Sequence, residues 1–200
     1  MIQPIETEYN GHRFRSRLEA RWAVFFDALD VEYEYEPEGF EDEHGTRYLP
    51  DFWLPEHKCF IEIKGTILKK RDIEKVLMLA VEHPVMVFCG QIKVPKVKKG
   101  IHLLSGSAAF AFNTLVDPET KERGGSMMLD PRPFVWHERD DGSLIIWPIP
   151  ANEPVMTEEG LDLVNPLLEK TKFVNSPRLV KAYRAARQAR FEFGEKPGTV

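Results

Sequence analysis

Apolar and polar positions recur along this chain with two different periods, and the change from one to the other marks out its elements. Leu18, Trp22, Phe25, Phe26 and Leu29 repeat at the spacing of one helix face, which predicts an amphipathic helix over 14–29. Runs rich in β-branched and aromatic residues predict strands over 31–36, 48–54 and 59–64. A second helix is expected over 70–82, with Ile73, Val76, Leu77 and Ala80 facing inward, and His83-Pro84 ends it before the apolar run Val85-Met86-Val87-Phe88 of a buried strand over 85–89. Phe110-Ala111-Phe112 and Leu115-Val116 suggest another strand. Phe134–His137 and Leu144–Trp147, around the turn-forming Asp140-Asp141-Gly142-Ser143, predict a hairpin whose two tryptophans, with Phe134, belong to the core or to a stacking surface. The Pro-rich 148–154 reads as a stiff connection to two helices. These cover 158–170, kinked at Pro166, and 177–191, with Ser176-Pro177 as N-cap and first-turn residue. The expected fold class is α/β: a mixed central sheet flanked by helices over 1–106, a β-hairpin extension over 107–150 and a helical C-terminal region over 151–200.

The segment Pro50 to Gly65 carries the chemistry. Pro55-Glu56-His57-Lys58 reads as the turn of a hairpin. Whether its loop has two residues or four, symmetric pairing sets Leu54 opposite Cys59, Trp53 opposite Phe60 and Asp51 opposite Glu62. Side chains alternate along a strand, so Lys64 shares the face of Glu62 while Ile61 and Ile63 point to the other side: one face chemical, one face core. Directly opposed like charges cost a sheet roughly 0.2–1 kcal/mol, so the two acids ask for a counter-ion. Hard carboxylate oxygens without a Cys or His cluster favour magnesium or manganese over zinc. Lys64 suits orienting or deprotonating an attacking water. The plainer alternatives are a solvated Glu-x-Lys on a half-exposed strand and ordinary Pro-Asp turn chemistry. Glu19 falls near the edge of the first helix's apolar stripe, almost in line with Phe26, where an acid can point along the sheet; its alternative role is an ion pair with Arg15.

Arg15-Ser16-Arg17-Leu18-Glu19, Tyr33-Glu34-Tyr35-Glu36-Pro37, Tyr48-Leu49-Pro50-Asp51-Phe52 and Ile61-Glu62-Ile63-Lys64-Gly65, in this order, resemble the PD-(D/E)XK nuclease superfamily. The resemblance covers about the first half of the chain. It is nearest to the branch of the end-cleaving nuclease subunit of cut-and-paste transposons and small phage nucleases. It implies a nuclease core over 1–106 in which Glu19, Asp51, Glu62 and the Ile63 carbonyl hold Mg2+ or Mn2+ and Lys64 assists the attacking water. The implied activity is hydrolysis of DNA phosphodiester bonds, leaving 5′-phosphate and 3′-hydroxyl ends. Lys75, on the helix after the Glu-x-Lys strand, sits where several such nucleases place an extra polar residue near the phosphate.

With 42% hydrophobic and 30% charged residues among 200, the chain is long and apolar enough to bury one substantial core and carry an extension. No apolar stretch approaches membrane-spanning length and the first residues lack a signal-like pattern, so the expectation is a cytoplasmic protein of a bacterial or phage-infected cell. Cys59 and Cys89 lack zinc-site spacing and read as small buried thiols. The net charge of −5 argues against indiscriminate coating of nucleic acid, yet charge is uneven. Acids crowd Glu32 to Glu43, whereas Lys69, Lys70, Lys75, Lys96 and Lys98, with Lys181 and Arg184 of the last helix, are the expected DNA contacts. A homodimer or larger protein complex is compatible with a site that cuts one strand at a time. The competing expectation, from another class, is an inactive nuclease-fold scaffold that acts through a protein partner in phage assembly or counter-defence.

Overall fold

The computed structural model describes residues 4–66, 68–94, 96–98, 101–103, 108–112, 132–148, 155–157, 160–162 and 176–191. It opens with a hairpin, β1 (Thr7–Tyr9) and β2 (His12–Phe14), paired Tyr9↔His12 across Asn10-Gly11. Both turn residues have positive φ, +48° and +80°, as a two-residue turn matching the strand twist requires. Phe14 therefore belongs to a strand, and the first helix, α1 (Arg17–Asp27), is shorter than its apolar stripe. Ser16 caps it in extended conformation, its Oγ accepting from the Glu19 N–H at 3.2 Å.

The short strands β3 (Glu34–Tyr35), β4 (Phe40–Glu41), β5 (Arg47–Tyr48) and β6 (Phe52–Leu54) follow. The single strand expected over 48–54 is thus split: Tyr48 pairs with Phe40, Phe52 pairs with Ile61, and the chain bends at Asp51 between them. Next come β7 (Cys59–Lys64), α2 (Lys70–Ala80) and β8 (Val85–Cys89). Lys58, at φ +49°, closes the four-residue turn between β6 and β7, and the pairs Leu54↔Cys59 and Trp53↔Phe60 match the sequence register. Then follow β9 (Lys96–Lys98), β10 (Ile101–Leu103), β11 (Ala108–Phe112), β12 (Arg132–Glu138) and β13 (Leu144–Pro148).

The main sheet has seven strands in the order β13-β12-β11-β8-β7-β6-β3. Only β7 and β8 are parallel neighbours in it, joined through α2; the other pairs are antiparallel. The architecture is a mixed α/β fold. Both faces of the sheet are covered, which corrects the division into one chemical and one core face. Ile61 and Ile63 pack with Phe52, Phe88 and Trp136 against α1, whereas Phe60, Val85, Val87 and Cys89 pack against Ile73, Val76, Leu79 and Ala80 of α2. Glu62 and Lys64 lie on the α2 side, toward the end of the sheet where that helix begins. Cys59 and Cys89 are free, buried thiols, pushed up by burial to about 12 and about 11.

The strands β14 (Val155–Thr157) and β15 (Gly160–Asp162) pair as a small hairpin, with Thr157 opposite Gly160. The helix expected from 158 is overturned over 160–162: Gly160 is a poor helix former, and Met156 and Leu161 pair across the ladder instead. The rest of that expectation, and Leu115-Val116, lie outside the described residues. The last helix, α3 (Pro177–Gln188), begins at the expected cap, with the Leu179 N–H donating to Ser176 Oγ at 3.1 Å. Leu179, Ala182, Tyr183 and Ala186 bury its inner face in the α1 core. Trp136 of β12 is 1% exposed in the same core, so it is a packing residue; the side chain of Trp147 lies outside the described residues. Among the described residues no helix is long and apolar enough to cross a membrane.

Candidate functional site

A cleft of about 720 Å³ opens at the end of the sheet between α1, the β4–β5 hairpin and the start of α2. Glu19, Asp51, Glu62, Ile63, Lys64 and Lys75 all line it, so the matched charged residues, drawn from four segments of chain, meet in one place. The three acids are buried, with Glu19 and Asp51 7% and Glu62 4% exposed. Buried carboxylates demand hydrogen-bond donors, and each has them.

Glu19 is held from its own helix start and from β3. Its Oε1 accepts from Ser16 Oγ at 2.6 Å, and its Oε2 accepts from the Tyr35 hydroxyl at 2.7 Å and the Arg15 N–H at 3.1 Å. Arg15 pairs through its guanidinium with Glu36 at 2.5 Å, not with Glu19 as the helical spacing suggested. Ser16-x-x-Glu19 is a capping-box pattern, a signal that would have placed Glu19 at this helix start.

Asp51 is not a ladder partner of Glu62, because the β6–β7 ladder ends at Phe52↔Ile61. Pro50 has no N–H to continue it, and at the bend the Asp51 side chain takes over: its Oδ2 accepts the Ile63 N–H at 2.6 Å. A strand residue sends its N–H and C=O to the same side, so the Ile63 carbonyl also faces the cleft.

Glu62 is fixed at both oxygens. Its Oε2 accepts from the Tyr48 hydroxyl at 2.8 Å, and its Oε1 lies 2.5 Å from Lys64 Nζ. Lys64 is also 3.6 Å from Asp72 Oδ1, at the start of α2, where Asp72 Oδ2 accepts the Lys69 N–H at 3.1 Å. Tyr35, Tyr48 and Asp72 were not singled out from the sequence; an acid three residues after Lys69 at a helix start was the available signal for Asp72.

Burial pushes the Asp51 carboxyl well above its usual range, and the negative charges of Glu62 and Glu19 add to this against the Ile63 N–H and Lys64. Burial also raises Glu62, opposed by Lys64 and by the Tyr48 hydrogen bond. For Lys64 burial works against the charge, yet Glu62, Asp51 and Asp72 together outweigh it and hold the ammonium protonated beyond its ordinary range. The inner wall therefore sets three buried carboxyl groups against one lysine. At the rim, Arg15 and Arg47 are exposed and pair with Glu36 and Glu41.

Among the described residues no group of three or more His, Cys, Asp or Glu side chains is placed to hold a metal ion. Two carboxylates and a carbonyl are nonetheless a donor set that fits a hard divalent cation, since magnesium commonly uses one or two protein carboxylates and completes its sphere with water and phosphate oxygens. The other expected DNA contacts are elsewhere. Lys69 and Lys70 are exposed at the start of α2 and do not line the cleft, and Lys181 and Arg184 are exposed on α3. Lys96 and Lys98 belong to β9, and their side chains lie outside the described residues. Comparison with protein-family models, with curated proteins and with solved structures returned no match.

Proposed function

We propose that this chain is a divalent-metal-dependent endonuclease of the PD-(D/E)XK type, hydrolysing DNA phosphodiester bonds. The observation that carries this reading is the convergence of Asp51, Glu62, Lys64, the Ile63 main chain and Glu19 on one cleft whose buried acids outnumber its inner cation. The parallel β7–β8 pair joined through α2 is compatible with such a core. Asp51, Glu62 and the Ile63 carbonyl would hold Mg2+ or Mn2+, and Glu19 completes the acidic wall. When bound, such a cation supplies Lewis acidity, polarising a phosphoryl oxygen and making a nearby water easier to deprotonate. Lys64 then positions that water or steadies the charge developing on the phosphate. Lys75, with Arg15 and Arg47 exchanging Glu36 and Glu41 for phosphates, would contact the strand flanking the scissile bond, and binding through them falls with salt.

The test is cleavage of labelled duplex, single-stranded and branched DNA in magnesium or manganese by the wild type, Asp51→Ala and Lys64→Ala. Cleavage that needs the cation and is lost in EDTA and in both variants is the expected result. A folded, monodisperse wild type that cuts none of these substrates would sink the nuclease reading in favour of a scaffold acting through a protein partner.

A further inference from the structure

Two anchored carboxylates flank one lysine ammonium in this cleft. Lys64 Nζ lies 2.5 Å from Glu62 Oε1 and 3.6 Å from Asp72 Oδ1. The acids come from different elements, β7 and the first turn of α2. Each is anchored through its other oxygen: Glu62 Oε2 by the Tyr48 hydroxyl at 2.8 Å, Asp72 Oδ2 by the Lys69 N–H at 3.1 Å. Lys64 sits between them on a flexible stem with its side chain 32% exposed.

With the Tyr48 hydroxyl donating to Oε2 and the ammonium on Oε1, a cation ligated by Glu62 through Oε1 competes directly with Lys64. Lys64 then has to leave Oε1. A partly buried ammonium that loses its acceptor pays for the loss unless another is at hand, and Asp72 Oδ1 is a carboxylate oxygen already 3.6 Å away. We propose that Asp72 is a positioning residue for Lys64: it receives the ammonium when a cation takes Glu62 Oε1, and keeps the lysine beside the scissile phosphate. This rests on the nuclease reading and deepens it by adding a second station for the lysine.

The test is Mn2+ titration calorimetry without DNA on the wild type, Asp72→Asn, Lys64→Met and the double variant, with DNA turnover measured separately. The amide of Asp72→Asn still accepts the Lys69 N–H but no longer competes for the ammonium, so Lys64 stays on Glu62. Its Mn2+ dissociation constant is expected to rise about tenfold, the size of effect seen for groups that support a metal ligand. In the Lys64→Met background Asp72→Asn should change nothing, because the competitor is gone. At saturating Mn2+, kcat of Asp72→Asn should fall with KM for DNA unchanged. Asp72→Glu against Asp72→Gln repeats the comparison with the helix cap preserved, since both residues are favoured three positions after a cap; Glu should keep the affinity and Gln lose it. Unchanged Mn2+ affinity in Asp72→Asn overturns the proposal, as does an equal loss with and without Lys64, which would make Asp72 a ligand or a bare negative charge. A wild type that binds no Mn2+ overturns the nuclease reading itself, a separate result.

Discussion

The Tyr48 hydroxyl donates to Glu62 Oε2 at 2.8 Å, a buried phenol meeting a buried carboxylate across two elements that are separate in sequence. Tyr48→Phe keeps the ring in its pocket beside α2 and removes the donor alone. Leaving a buried acceptor short of a donor costs about 1–3 kcal/mol. Lys64 still serves Oε1, so a loss toward the lower end of that range is expected by urea unfolding in EDTA with an unchanged m-value. Metal affinity should weaken with it, because an unanchored Glu62 is free to turn.

Ser16 does two jobs with one hydroxyl, accepting from the Glu19 N–H at 3.2 Å and donating to Glu19 Oε1 at 2.6 Å. Ser176 does only the first, capping α3 through the Leu179 N–H at 3.1 Å, and does not line the cleft. Replacing either serine by alanine is expected to cost about 1 kcal/mol of stability, the ordinary worth of a helix cap. Only Ser16→Ala should also slow DNA cleavage, since only it takes a donor from a cleft carboxylate, leaving Glu19 Oε1 unheld. Equal cleavage rates in the two variants would remove Glu19 from the site.

Where local pattern decides structure, the sequence was readable: the α1 stripe, the β6–β7 register and the α3 cap are set by neighbours a few residues apart. The Asn10-Gly11 hairpin was equally local, and its turn chemistry was present in the sequence to be read. Asp51 was legible as an acid near Glu62 but not in its manner of contact, which follows from Pro50 ending the ladder and the side chain replacing the backbone. The Tyr48–Glu62 and Lys64–Asp72 contacts were not legible, because they exist only once the β4–β5 hairpin and α2 close over one end of the sheet. Sequence spacing gives the residues of one strand face; it does not say which element covers that face.

His57 supplies a pH dependence unrelated to the cleft. It sits in the β6–β7 turn with its ring 5.0 Å from that of Trp136, at 77°, and its Nε2 is buried without a hydrogen-bond partner among the described residues. Burial pushes the imidazole below its ordinary 6.5, with neighbouring Glu56 opposing. The unfolded chain takes up the proton near 6.5 and the folded chain only at lower pH, so the unfolded state binds more protons in that window. Stability attributable to His57 is therefore full above 6.5 and declines as pH falls toward the folded value. His57→Phe keeps a ring on Trp136 and cannot titrate. The Tm difference between wild type and variant, followed from about pH 7.5 to about pH 5, should shift in favour of the variant on acidification. A difference that does not vary with pH would mean that His57 is not held neutral.

Asp51 carries the sharpest trade between stability and function. Its carboxyl is raised by burial and by the charges of Glu62 and Glu19, so the folded chain holds that proton to higher pH than the unfolded chain, whose value is near 3.8. The protonated form favours folding, and that contribution is lost as pH rises from 3.8 through the raised folded value. Above that folded value the ionised Asp51 is consequently a strain on the fold. Asp51→Asn keeps an oxygen for the Ile63 N–H and removes the charge. In EDTA at neutral pH the variant is expected to be more stable than wild type by about 0.5–2 kcal/mol, the usual gain when a functional charge is relieved, and this gap should close in acid. With magnesium the order reverses. A ligand at about 100 times its dissociation constant stabilises the folded wild type by about 2.7 kcal/mol, whereas the variant has lost one of the two carboxylates proposed to hold the cation and gains little. The two stability curves, plotted against magnesium concentration, should therefore cross. Parallel curves would show that Asp51 is buried for packing alone.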